Sequence, residues 1–357
     1  MKILGIETSC DETACAVVED GWKVLSNVIY SQIDLHAKTG GVVPEVAARE
    51  HVLKMIPVLE EAIVEAEIGW EEIDAVAVTR GPGLLSSLII GTETANVISY
   101  AKGKILIPVQ HIAGHIYSNW LEAGGWEKEG LLASLATVKF PVLILTVSGG
   151  HNELILMRGH GDFEMLGETR DDAAGEAFDK VARILGLGYP GGPAISRMAE
   201  GGNAERFKLP RIFLEKGSLD FSFSGLKTAV LNEVKKTPLT EQDEEFKKDM
   251  AASFQEAVVE VLAEKLMSAY KAHPDVKELH LAGGVSANKR LREAIQKRID
   301  ETGNTGEAIK FRYPSSLRYC TDNAAMIAAA AYFIYKKSPE NYRAATNIVP
   351  TTSFEMW

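Results

Sequence analysis

Short apolar runs separated by compact polar turns set the pattern from the start of the chain. Ile3-Leu4-Gly5-Ile6 is apolar, Glu7 to Thr13 is polar, and Ala14 to Val18 is apolar again. This predicts two strands joined by a tight turn, with a third strand over Trp22–Ile29. Pro44–Ala66 has helical periodicity. Ile73–Val78 reads as a buried strand that ends in Gly81-Pro82-Gly83, and a helix follows from about Leu84 to Tyr100. Ile105–Val109 is another strand, and a helix beginning near His111 comes next.

The second half repeats this grammar. Val142–Val147 is a strand, Ser148 to Asn152 a turn, and Glu153–Met157 a returning strand. Leu279–Ala282 runs into Gly283-Gly284-Val285-Ser286 and then a helix to Arg298, matching the Ala75–Val78, Gly81–Gly83, helix unit of the first half. The match lies in element order rather than residue identity. It predicts an α/β protein of two similar lobes facing each other across a cleft lined by Gly-rich turns. Trp120–Thr137 and Lys235–Phe246 read as surface loops. Ala324–Tyr335 is the longest apolar stretch, too short to span a membrane, and reads as a buried helix.

The chain has 357 residues, 46% of them hydrophobic, which is enough for two lobes with full cores. A net charge of −11 argues against a general nucleic-acid coat and leaves only local basic patches for RNA. Lys289, Arg290, Arg292, Lys297 and Arg298 fall on one predicted helix; a solvated charged face is the simpler explanation of them. Cys10, Cys15 and Cys320 are few and unpatterned, and no leader-like segment opens the chain, so a reduced cytoplasmic location is expected.

His111 and His115 carry the sharpest chemical signal. Their i, i+4 spacing puts both imidazoles on one helix face, where they could share a metal ion or simply pack. A third ligand must come from elsewhere, and Asp322 is a candidate. Two histidines and a carboxylate leave open positions, as a catalytic Fe or Zn site requires. The residue after His111 is Ile112, so the general base of a His-Glu-x-x-His zinc peptidase is missing. Ser148 lacks the Gly-x-Ser-x-Gly context of a serine hydrolase. Thr8, Ser9, Asp11, Glu12 and Thr13 crowd one turn that could hold a phosphate or a metal. Ser148-Gly149-Gly150, Gly191-Gly192-Pro193 and Gly283-Gly284 suggest a nucleotide cradle, though neither a P-loop nor a dinucleotide fingerprint occurs. Asp171 and Asp172 fit a helix N-terminus, and Glu176 and Asp179 share a helix face.

Together these motifs resemble the bacterial TsaD family. The matching segments include Gly5–Thr13, Gly40–Glu45, Gly81-Pro82-Gly83, His111-x-x-x-His115, Val147–His151, Asp171–Lys180, Tyr189–Pro193, Asp220–Thr228, Ala282–Asn288 and Cys320–Asn323. The resemblance implies the duplicated actin-like, sugar-kinase-like and Hsp70-like fold. It implies one lobe over residues 1–119, completed by 322–357, and a second over 120–321. The implied activity is transfer of a threonylcarbamoyl group from threonylcarbamoyl-adenylate to N6 of the adenosine 3′ of the tRNA anticodon, with release of AMP. His111, His115 and Asp322 match the family's ligands for one divalent metal, Fe(II) ahead of Zn(II). Thr146, Val147, Ser148, Gly149, Gly150, Asp179, Gly192 and Asn288 match its substrate contacts. ATP or ADP is a further implied ligand. Implied partners are tRNA, a TsaB-like paralogue and a TsaE-like ATPase, with no membrane. Asp11 or Glu12 is the candidate for steering the attacking amine. Thr146 stands where archaeal and eukaryotic relatives carry a metal-binding Tyr, Ala113 where many bacterial relatives have Glu, and Asn152 where Thr is usual. An ATP-dependent kinase or small-molecule carbamoyltransferase of this fold, or an Hsp70-like nucleotide-binding module, are the alternative functions.

Overall fold

The structure, a computed structural model, describes residues 1–122, 138–302, 309–344 and 346–353. The chain forms two compact units. The first comprises Met1–Val138, Arg158–Phe163 and Tyr313–Trp357, and the second Lys139–Met157 and Glu164–Arg312.

In the first unit the order is β1 (Lys2–Glu7), β2 (Glu12–Glu19), β3 (Lys23–Ser31), α1 (Ile33–Ala37), α2 (Pro44–Glu65), β4 (Ala75–Gly81), α3 (Leu85–Lys102), β5 (Ile105–Gln110) and α4 (His111–Tyr117). The second unit carries β6 (Val142–Val147), most of β7 (Asn152–Gly159) and of β8 (Asp162–Glu168), α5 (Ala174–Ile184), α6 (Gly191–Met198), α7 (Ser224–Lys236), α8 (Glu244–Ala272), β9 (Glu278–Ala282), α9 (Lys289–Glu301) and β10 (Lys310–Arg312). The chain then returns to the first unit with α10 (Ala324–Lys337).

The two sheets have one topology. The first runs β3-β2-β1-β4-β5 and the second β8-β7-β6-β9-β10, so each orders its strands third, second, first, fourth, fifth. In both, the first strand is antiparallel to the second and parallel to the fourth. The central strands β1, β2, β6 and β9 are buried almost end to end. The α/β duplication expected from element order is thus a duplication of sheet topology.

Several local expectations change. The irregular stretch read over Lys235–Phe246 shrinks to the residues between α7 and α8, because Asp243 accepts from the Phe246 N–H at 2.8 Å and starts α8. Trp120 ends a short 3-10 turn, and residues 123–137 of the expected second loop lie outside the described residues. Asp171 and Asp172 do not begin a helix of their own. Asp171 accepts from the backbone N–H groups of Phe223 and Ser224 and from both flanking serine hydroxyls, so it serves the N-terminus of α7 instead. Asp172 pairs with Lys180 and Lys227. Among the described residues no helix is long and apolar enough to cross a membrane.

Candidate functional site

The histidine helix is short and fully buried, and it is placed by its two ends. Strand β5 delivers it, and the Gln110 side chain caps it by accepting from Ala113 N at 2.8 Å. Tyr117, at its far end, stacks on Phe333 of α10 with ring centroids 4.9 Å apart. Gly114 permits the close approach of α4 to α10, since a Cβ there would lie 2.7 Å from Ile327 Cδ1. Asp322 sits one residue before Asn323, which caps α10 by accepting from Met326 N at 3.0 Å. The carboxylate therefore lies at a helix N-terminus, where the dipole favours negative charge.

These elements bring the three expected ligands together. Nε2 of His115 is 3.2 Å and Nε2 of His111 3.5 Å from Asp322 Oδ1. One ligand atom from each residue falls within 4.8 Å of the others. Among the described residues, neither ring nitrogen of the buried His115 has a hydrogen-bond partner. An orphaned buried imidazole is costly unless a further group satisfies it. The arrangement fits a divalent ion bound by two imidazoles and a carboxylate, with the remaining positions open.

Sequence reasoning missed Glu7. It was read as part of the polar turn, yet it is the last residue of β1 and fully buried. Its carboxylate lies 3.2 Å from His111 Nδ1. The nearby turn is tightly tied down: Thr8 donates to Ser87 O at 2.9 Å, and His51 bridges Thr13 Oγ1 at 2.8 Å and Cys10 O at 3.0 Å. Burial, then the charges of Asp11 and Asp322, push Glu12 well above the usual carboxylate range. Glu12 is therefore in the electrostatic neighbourhood of Asp322. Burial likewise pushes the Cys10 thiol up, so it is a poor nucleophile.

The second unit groups the expected substrate contacts around β6 and two helix starts. Thr146 and Val147 close β6 and are buried. The Thr146 hydroxyl faces Glu153 at 3.4 Å, and Val147 belongs to the apolar core. Ser148 N donates to His151 O at 2.8 Å, which leaves the amides of Gly149 and Gly150 as the turn's outward donors. The carbonyls of Ser148 and Gly149 accept from Gly175 N and Glu176 N, locking the turn to α5. Asn152 adds to this lock, accepting from Ala174 N at 3.1 Å. Nothing lies within 4 Å of a Cβ built on Gly149, Gly150 or Gly192. Asp179 accepts from Gly191 N at 2.7 Å and so joins α5 to the start of α6, beside Gly192. Asn288 caps α9 by accepting from Leu291 N at 3.0 Å, and its amide donates to Gln255 and Ser196. Its side chain already has a structural role.

The basic residues of α9 are engaged. Arg290 pairs with Glu256, Arg298 with Glu264, Lys289 with Glu293 and Lys297 with Glu301, while Arg292 donates to Ser286 O. These contacts fit the simpler explanation, a solvated charged face.

Comparisons with known proteins identify the family. A family model described as "TsaD: tRNA N6-adenosine threonylcarbamoyltransferase" matches residues 23–329. The tRNA N6-adenosine threonylcarbamoyltransferase of Caldicellulosiruptor saccharolyticus is 48% identical, over 99% of this chain and 98% of its own. Those of Syntrophomonas wolfei and Geobacillus thermodenitrificans are 51% and 52% identical, each over 93% of this chain and 92% and 91% of their own. Among solved structures, HypF of T. kodakarensis superposes with a TM-score of 0.60 at 14% identity, covering 98% of this chain and 49% of that one. Component A of the Acidaminococcus fermentans (R)-2-hydroxyglutaryl-CoA dehydratase gives 0.50 at 15% identity, covering 95% and 99%. These distant likenesses support the duplicated actin-like fold alone. At near 50% identity over almost the whole length, the chain belongs to the TsaD family of tRNA N6-adenosine threonylcarbamoyltransferases.

Proposed function

We propose that this chain transfers a threonylcarbamoyl group from threonylcarbamoyl-adenylate to N6 of the adenosine 3′ of the anticodon in tRNAs reading ANN codons. The observation that carries the reading is the convergence of His111, His115 and Asp322, with His115 unsatisfied, in a chain about half identical to named transferases of this activity. The substrate is a mixed anhydride, so no covalent enzyme nucleophile is needed; the raised Cys10 thiol agrees with that. The N6 amine attacks the carbonyl carbon, the bond to the phosphate oxygen breaks, AMP leaves with the electron pair, and N6 loses a proton.

His111, His115 and Asp322 would hold one divalent ion, Fe(II) or Zn(II), and the chemistry it would supply there is Lewis-acid stabilisation of developing negative charge. Asp11 or Glu12 steers the amine and its proton. In the second unit, the amides of Gly149 and Gly150 donate to an anionic group of the nucleotide, and Asp179, Gly192 and Asn288 border the nucleoside. ATP or ADP would use the same cradle. The test is single-turnover transfer with threonylcarbamoyl-adenylate and unmodified tRNA, followed by digestion and detection of the modified nucleoside. Phosphorylation of a small acceptor, with no modified nucleoside even when partner proteins are added, would overturn the reading in favour of a kinase.

The partner proteins in this proposal are a TsaB-like paralogue and a TsaE-like ATPase. Support for the first is an exposed apolar surface. Of the large hydrophobic residues exposed among those described, Val52, Leu53, Ile56 and Val64 lie on α2 and Leu85, Ile89, Val97 and Tyr100 on α3. Exposed apolar residues gathered on two helices mark candidate interaction surfaces. The double substitution Val52→Glu, Ile56→Glu is expected to abolish co-elution with a bacterial paralogue in size-exclusion chromatography. Both side chains are more than half exposed, so the isolated chain should keep its melting temperature. Unchanged co-elution would remove this surface from the proposal.

A further inference from the structure

We infer that Glu7 is a positioning residue for the metal centre: it holds His111 with its hydrogen on Nδ1, so that the lone pair lies on Nε2, on the side of Asp322. This rests on the reading of His111, His115 and Asp322 as a metal site.

The argument starts from burial. Glu7 is 0% exposed, at the end of the central strand of its sheet. A carboxylate removed from water there is tolerable only if its oxygens are fully engaged. Oε1 accepts from Ser9 N at 2.5 Å, and Oε2 accepts from Thr79 Oγ1 at 2.6 Å. Those two bonds come from the turn after β1 and from β4, and they fix the carboxylate before His111 is considered. The third neighbour of Glu7 is His111 Nδ1, 3.2 Å from Oε2. The carboxylate can only accept, so the hydrogen belongs on Nδ1. The Ser9 hydroxyl, also 3.2 Å from Nδ1, can turn to suit either arrangement and so does not decide it.

With Nδ1 protonated, Nε2 carries the lone pair, and Nε2 is the nitrogen 3.5 Å from Asp322 Oδ1. The ring is thereby oriented by β1 and β4 from one side. A partner carboxylate also makes the imidazole a stronger donor to a metal. His115 has no such brace among the described residues. The two histidines are therefore unequal, with His111 the prearranged ligand.

Zn(II) affinity, measured by competition with a chromogenic chelator, tests this in the full-length chain, Glu7→Gln, Thr79→Val and His111→Ala. In Glu7→Gln, the new amide must point its N–H₂ at one of the three donors Glu7 now receives. Zn(II) affinity is expected to fall about 10- to 100-fold. Thr79→Val loosens the carboxylate and should give a smaller loss in the same direction. Melting temperatures in EDTA are measured alongside. If Glu7 only stabilises the fold, Glu7→Gln lowers that temperature and leaves Zn(II) affinity unchanged, and the inference fails. Should Glu7→Gln not fold, nitrogen-15 spectra of the Zn(II)-loaded native chain still decide. A downfield ring N–H on His111 Nδ1 supports the inference, and a hydrogen on Nε2 overturns it. Absence of Zn(II) and Fe(II) binding by the native chain would sink the metal-site reading and this inference together. Native binding that is lost in His111→Ala but kept in full by Glu7→Gln would sink only the role of Glu7.

Discussion

Asp322→Ala is expected to lose bound divalent metal and acyl transfer together, with the transfer rate down by about 10²- to 10⁴-fold. The size follows from the several kcal/mol that a Lewis acid contributes to charge stabilisation in a transition state, at about 1.4 kcal/mol per tenfold in rate. Local structure separates this loss from unfolding. The cap of α10 is Asn323, not Asp322, and Asn323 keeps its bonds to Met326 N and Thr321 O whatever stands before it. Asp322 also makes no bid for the core, with 19% of its side chain exposed. The melting temperature of the metal-free variant should therefore stay close to that of the metal-free native chain. Metal content by elemental analysis, single-turnover rate and thermal unfolding measured on one preparation give the answer. A variant stripped of metal that still transfers within threefold of the native rate would rule out a role for the ion. The neighbouring charges add a second signature. Asp322 is among the groups that push Glu12 up, so its removal should draw Glu12 back toward the ordinary carboxylate range.

Apart from Asp322, which lies far downstream of the histidines, the parts of this site that were legible in the sequence share one property: their partners are near in sequence or obey a simple period. The His111 and His115 pair is visible because a helix repeats every 3.6 residues. The turns at Ser148 and Gly283 are visible because each follows an apolar strand. The edge strands β8 and β10 were missed because half-exposed residues blur the alternation that marks a strand. Asp171 was assigned to the wrong helix for a related reason. A short acidic run fits any nearby helix start, and only the fold shows that Asp171 reaches Ser224 rather than its own successor. Glu7 was illegible for the strongest reason. It lies 104 positions from His111, and the sheet order that joins them through β1, β4 and β5 cannot be counted off a single chain. Asn288 was visible as a motif residue, but its capping of α9 and its bonds to Ser196 and Gln255 were not.

Gly150→Val should separate the nucleotide cradle from the fold that carries it. Neither Gly149 nor Gly150 is among the glycines of positive φ, and a Cβ at either would meet nothing within 4 Å, so the Cβ of a valine enters without collision or left-handed backbone strain. An exposed substitution of this kind changes stability by about 0.5 kcal/mol or less. Its side chain would nevertheless crowd the amides of Gly149 and Gly150, which have no backbone acceptor among the described residues. A ligand kept from one such donor typically loses about 10²- to 10³-fold in turnover. The expected result is a native melting temperature with AMP binding and transfer both sharply reduced. Gly175→Ala makes the complementary case. Its Cβ would fall 2.5 Å from Ser148 O and 2.7 Å from Gly149 Cα, so the turn must move away from α5. That overpacking should cost about 1–3 kcal/mol, lowering the melting temperature as well as binding. Calorimetric titration with AMP and thermal unfolding on both variants distinguish the two effects. AMP binding by Gly150→Val at native affinity would mean that these amides face no nucleotide, and the anion contact would have to be sought elsewhere in the second unit.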